Sequence, residues 1–131
     1  MKKKTKRLLA TVLATLLLTA FCSAFLQAYA WTNISSTATG FTIYNGSGYV
    51  SCDVCAYNHV TKVSIEANLQ KKVSGSWTTI KTWTASANDN YVDVVGTKAL
   101  DKGTYRLEAI YTAKSSSLTE THTTYSPEKT Y

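Results

Sequence analysis

Residues 100–113, LDKGTYRLEAIYTA, constrain the fold more than any other stretch of the chain. Tyr105, Leu107, Ala109, Tyr111 and Ala113 share one parity, while Thr104, Arg106, Glu108 and Thr112 share the other. Successive side chains of a strand point to opposite faces, so this period of two describes a strand with one side in a core and one toward solvent. Ile110 is the one apolar residue on the polar side. A strand this regular is expected at the centre of a sheet, with neighbours on both edges.

The same reading extends along the chain. Short strands are predicted at 41–44 and 49–57, the first followed by the turn sequence Asn45-Gly46, a strong hairpin signal. Residues 61–73 alternate with Val63, Ile65, Ala67 and Leu69 on one face; at 100° per residue a helix would scatter them. Ser74-Gly75 turns the chain into a partner strand at 76–84. Further strands are predicted at 91–95 and 118–125, and Pro127, the single proline, ends the last. About seven strands with frequent turn signals fit a β-sandwich. Leu100, a charged tight turn containing glycine, and Tyr105 two residues before a buried position resemble the tyrosine corner of immunoglobulin-like domains. The expected fold is therefore all-β: an immunoglobulin-like two-sheet antiparallel β-sandwich.

Residues 1–30 stand apart. Five positive charges lie within residues 2–7, an apolar run follows, and Ala28-Tyr29-Ala30 supplies a small-x-small cleavage pattern. This is the order of a secretory signal peptide, and the apolar run is shorter than the roughly 20 residues a membrane span needs. Domain organisation is expected as a signal peptide at 1–30, a flexible leader at 31–40, the sandwich at 41–126 and a tail at 127–131. Beyond the signal, nine basic residues face eight acidic ones. The basic character of the whole chain thus comes from its first segment, and no electrostatic case for nucleic acid or an anionic membrane survives. The expected localisation is extracellular, with no integral membrane segment after cleavage.

The hairpin LQKKVSGSWTTIKTW, then GTYRLEAIYTA and a Thr/Ser-rich last strand, resemble a family of small secreted proteins of Gram-positive bacteria known only as a domain of unknown function. The resemblance spans roughly residues 63–125. It implies secretion and a β-sandwich, and it carries over no active residue.

Three features are candidates for chemistry. Cys52 and Cys55 form a Cys-x-x-Cys pair within a predicted strand. Three residues of extended strand span about 10 Å, beyond the roughly 7 Å a disulfide bridges. A local disulfide therefore needs a bend at Asp53-Val54, although a secreted setting favours pairing. Two readings stay open: that bent disulfide, or two free or intermolecular thiols with Cys52 in the core. Redox catalysis is disfavoured because no helix N-terminus lowers the thiol pKa here. With His59 and His122 the pair makes only a zinc half-site, so no metal is expected.

Trp77 and Trp83 share a parity, roughly 20 Å apart along their strand. If Ile80 faces the core, both rings sit outside as a carbohydrate-stacking strip, extended by tyrosines such as Tyr91. The competing reading places a tryptophan in the core, and a bulge would bury one and expose the other. No Gly-x-Ser-x-Gly, P-loop or dinucleotide fingerprint is present, and the eight acidic residues are scattered. The expectation is a non-catalytic extracellular protein without a cofactor, binding polysaccharide, cell wall or an extracellular protein. A carbohydrate- or cell-wall-binding module and a secreted antimicrobial or toxin-like protein are the alternatives.

Overall fold

The computed structural model describes residues 31–131; residues 1–30, expected from the sequence to be a signal peptide, lie outside the described residues. Eight strands follow in chain order: β1 (Ile34–Tyr44), β2 (Ser47–Ala56), β3 (Lys62–Val73), β4 (Ser76–Ala87), β5 (Tyr91–Ala99), β6 (Thr104–Lys114), β7 (Thr119–Tyr125) and the short β8 (Lys129–Thr130). They form two antiparallel sheets. One has the order β1-β2-β5 and the other β4-β3-β6-β7, with β8 paired to the start of β6. This is an immunoglobulin-like β-sandwich in which the fourth strand has joined the second sheet.

Two hairpins set the register. Asn45 and Gly46 both have positive φ (47° and 74°) between the paired Tyr44 and Ser47. Ser74 and Gly75 (50° and 81°) do the same between Val73 and Ser76. Two-residue turns with both φ positive carry the right-handed twist of the strands they join, which is why glycine holds the second position in each.

The core lies between the sheets. Along β6 every odd residue from Tyr105 to Ala113 is buried, as the alternation predicts. Val50, Cys52, Val54 and Ala56 of β2 and Val63, Ile65, Ala67 and Leu69 of β3 pack into it, with Ile34, Phe41, Val60, Val94 and Leu100 around them. Removing one of the larger aliphatic side chains, Leu69 or Leu107, is expected to cost about 2–5 kcal/mol, because the cavity adds to the lost transfer energy.

Polar contacts close one side of the sandwich. Thr39 Oγ1 of β1 lies 2.6 Å from Tyr111 Oη of β6 and 2.5 Å from Thr124 Oγ1 of β7. Tyr111 also donates to the carbonyl of Ala38 at 2.5 Å. Trp83 of β4 closes the other side by lying on Gly96 of β5. A Cβ at position 96 would come within 2.4 Å of the indole, so only glycine allows that approach.

The ends differ from expectation. Residues 31–40 are not a flexible leader. Strand β1 begins at Ile34, which is buried, and pairs with β2 to its end after one register shift between Ile34 and Ser36. The buried Asn33 donates from Nδ2 to the carbonyls of Ala113 and Leu118 (3.1 and 3.0 Å). The Glu120 carboxylate accepts the backbone N–H groups of Thr32, Asn33 and Ile34 at 3.0, 2.7 and 2.7 Å. Small polar residues were read as loose, but long-range partners order them. The tail at 127–131 is likewise tied down, by β8 and by reciprocal backbone bonds between Gly103 and Tyr131. Thr32–Tyr131 thus form one compact unit with its own core.

Candidate functional site

Neither a bridged cysteine pair nor a double-tryptophan strip is found. Pairing of β2 with β5 is unbroken from Ser47 to Cys55, and its pairing with β1 is regular from Ser47 to Cys55 as well. The bend that a Cys52–Cys55 disulfide requires is therefore absent. Both cysteines are free, with Cys52 buried in the core and Cys55 half-buried on the outer face. Burial pushes the Cys52 thiol above its ordinary pKa, against opposing hydrogen bonds from Tyr111 and the Gly40 backbone.

A bulge in β4 separates the tryptophans. Leu69 lies opposite Lys81 and Gln70 opposite Thr79, so Ile80 is the extra residue. Trp83 then falls opposite buried Ala67 and turns toward the core, while Trp77 falls opposite exposed Lys72 and turns outward. Equal parity in the sequence thus becomes opposite faces in the fold.

The outer face of the β4-β3-β6-β7 sheet is occupied by its own side chains. The Arg106 guanidinium is 4.4 Å from the Trp77 ring centre and 4.3 Å from that of Tyr125. Lys72 lies 5.3 Å from the same Trp77 ring and 3.8 Å from Glu128. Beside this stack, Arg106 Nε donates to Gln70 Oε1 (2.8 Å) and Tyr125 Oη donates to Glu108 Oε1 (3.0 Å). Asn68 Nδ2 donates to Glu66 and Glu108 (2.9 and 3.1 Å) and receives the Thr82 hydroxyl on Oδ1 (2.6 Å). Asn68 and Gln70 are buried although they sit on an outward face. Their polar atoms are satisfied within the network, so this end of the sheet needs no ligand to complete it. Toward its other end a shallow groove of 330 Å³ runs over Ile110, between Ser64, Glu66, Thr84, Ser86 and Thr112.

The outer face of the β1-β2-β5 sheet is the opposite case. Its register aligns Thr42, Tyr49 and Thr97 across the sheet, then Gly40, Ser51 and Val95, then Ala38, Asp53 and Asp93, then Ser36, Cys55 and Tyr91. Tyr44, Tyr49, Tyr91 and Val95 are 66, 43, 49 and 69% exposed. The rings of Tyr44, Tyr49 and Tyr91 flank a middle of small residues and, among the described residues, have no cation or aromatic partner on this face. Tyr57 follows β2 and stacks on His59 in the adjoining loop, ring centres 6.2 Å apart. His59 Nε2 in turn meets Asn33 Oδ1 at 3.1 Å.

Asp53 and Asp93 are direct cross-strand partners on this face. Opposed residues of an antiparallel pair have Cβ atoms about 5 Å apart, and like charges in that position are destabilising. Among the described residues neither carboxylate takes part in an ion pair or a side-chain hydrogen bond. Desolvation, followed by the charges of Asp93, Asp53 and Cys55, holds the Tyr91 phenol above its ordinary pKa. Of the three residues singled out in the sequence as a binding surface, Tyr91 lies here, Trp77 on the other sheet's outer face and Trp83 toward the core. The Asp53–Asp93 opposition joins positions forty residues apart, and only the strand register brings them together.

No protein-family model matches the chain, and no curated protein does. Among solved structures it is similar to wild-type OgpA from Akkermansia muciniphila, at 6% identity and a TM-score of 0.38. The likeness covers 72% of this chain and 29% of that one. What fold and surface define is a class: an immunoglobulin-like sandwich with one self-satisfied outer face and one open, tyrosine-bearing outer face.

Proposed function

We propose that this is a secreted, non-catalytic bacterial protein that works by extracellular binding, through the outer face of its β1-β2-β5 sheet. Secretion is supported by the charged, apolar and small-residue order of residues 1–30. The observation that carries the binding reading is the uncompensated Asp53–Asp93 pair set among exposed Tyr49, Tyr91 and Val95. A sheet face that serves only as surface has no reason to hold like charges opposite each other beside uncovered rings. Tyrosine presents a large contact area with few rotatable bonds, which suits it to binding surfaces. The test is a pull-down of the domain on insoluble cell wall, polysaccharides and secreted proteins, beside a Tyr49→Ser/Tyr91→Ser variant. Circular dichroism confirms that the variant folds. Binding should fall at least tenfold in the variant; binding that survives would remove this face from the account.

A second reading rests on the groove over Ile110. Four hydroxyls and the Glu66 carboxylate around an apolar floor match the donors and acceptors of a sugar ring, and the volume is at the lower end of ligand pockets, which run from about 300 Å³. A carbohydrate-binding module of this kind would lose polysaccharide binding on Glu66→Gln or Ile110→Asp and keep it in the tyrosine variant.

A further inference from the structure

We propose that the β1-β2-β5 face docks a basic surface of a protein partner, whose lysine or arginine side chains seat against Asp53 and Asp93 between the flanking tyrosines. This rests on the reading of that face as the binding face and names the chemistry of its occupant.

Charge selects the partner. Of the outward residues on the three strands, Asp53 and Asp93 are the only charged ones; the rest are tyrosine, threonine, serine, cysteine, valine and the small Ala38, Ala99 and Gly40. The face therefore carries two negative charges and no positive one. A cation placed between the carboxylates would turn their mutual repulsion into two attractive contacts. Bidentate pairing makes arginine the better fit of the two basic side chains. The exposed rings on either side favour the same sign of ligand, because an aromatic face attracts cations.

Shape selects a protein over a small amine or an amino sugar. Small ligands are held in concave sites. With Ala38, Gly40 and Ser51 along its middle, this sheet surface has little relief. A flat area carrying tyrosine, serine and glycine has the composition of a paratope-like protein-binding surface. Its extent also sets the kind of complex. Nine strand residues by three strands measure roughly 30 Å by 15 Å, and about 450 Å² is well under the roughly 800 Å² per partner of a stable complex. The contact should be reversible and weakened by salt.

The test measures binding of the domain 31–131 to three synthetic probes by isothermal titration: an arginine decapeptide, a glutamate decapeptide and an oligomer of glucosamine. Wild type is compared with Asp53→Asn/Asp93→Asn and with Glu108→Gln/Glu128→Gln, which removes the same charge from the outer side of the other sheet. The expected result is binding of the arginine peptide alone. It should weaken at least tenfold in Asp53→Asn/Asp93→Asn, stay within twofold in the charge-matched control, and fall steeply between 50 and 300 mM salt. The thermal midpoint of Asp53→Asn/Asp93→Asn should rise, which separates lost binding from lost folding. Equal loss in both variants, tighter binding of the glucosamine oligomer, or no binding of the arginine peptide would each overturn the inference. If the tyrosine variant still loses its captured ligand while Asp53→Asn/Asp93→Asn does not, the face stands as a binding face and only its charge selection fails.

Discussion

Tyr105 donates its phenolic hydrogen to the carbonyl oxygen of Asp101, 2.7 Å away and four residues back along the chain. The ring is buried, and Leu107, two residues on, is fully buried in the core. The bond closes a tyrosine corner at the entry to β6 and fixes where the central strand begins. Tyr105→Phe keeps the ring and removes the donor, leaving the carbonyl short of a partner. A loss of about 1–2 kcal/mol is expected. Urea unfolding should show it as a lower midpoint with an unchanged slope.

The contact of Trp83 with Gly96 makes a second prediction. A methyl group at 96 would meet the indole at 2.4 Å, so Gly96→Ala must move the ring or the strand, at a cost of about 1–3 kcal/mol. Trp83→Phe should cost stability alone but relieve the clash in the double variant. A double-mutant cycle by denaturant unfolding is expected to show coupling of at least about 1 kcal/mol. Additive losses would mean that the two positions do not touch.

Glu120 anchors the start of the domain, and its pH dependence follows from its partners. Partial burial acts to raise the carboxyl pKa, but the three backbone N–H donors of Ile34, Asn33 and Thr32 outweigh it and hold the pKa below the usual value. A folded-state pKa below the unfolded one gives stability that is present above the unfolded pKa and lost as pH falls through the folded pKa. Between pH 6 and pH 2 the wild-type melting temperature should therefore drop further than that of Glu120→Gln. Parallel curves would show that the carboxylate contributes nothing specific.

The two thiols should separate by reactivity. Cys55 is half-buried on an outer face, while Cys52 is 1% exposed and its thiol is pushed up by burial. A maleimide reagent should modify one cysteine of the native domain 31–131, identified as Cys55 by mass mapping, and both Cys52 and Cys55 after unfolding. Modification of neither native thiol, with loss of two hydrogens in the intact mass, would indicate a disulfide that this register does not allow.

What could be read from the sequence divides along physical lines. The faces of β6 and β3 were legible because strict alternation needs no knowledge of partners, and the tyrosine corner was legible because it closes within five residues. Whether Trp77 and Trp83 point outward together or a bulge turns one into the core stayed open in the sequence, because a bulge is a property of two strands: Ile80 is extra only relative to Leu69 and Gln70. The start of β1 looked loose because its anchors, Glu120 and the carbonyls of Ala113 and Leu118, lie eighty or more residues away. Tyr91 stands in the sequence as an extension of the tryptophan strip. Its companions Asp53 and Asp93 stood in the sequence as two unrelated acids, and cross-strand register alone makes them a pair.

The proposed function depends on which outer face binds. Its most direct test is nitrogen–proton correlation spectroscopy of the labelled domain, titrated with whichever wall, polysaccharide or protein fraction the pull-down retains. The account predicts shifts confined to residues 36–44, 47–55 and 91–99, largest around Asp53, Tyr91 and Asp93. Shifts centred instead on Glu66, Thr84 and Ile110, with the β1-β2-β5 sheet unmoved, would contradict it.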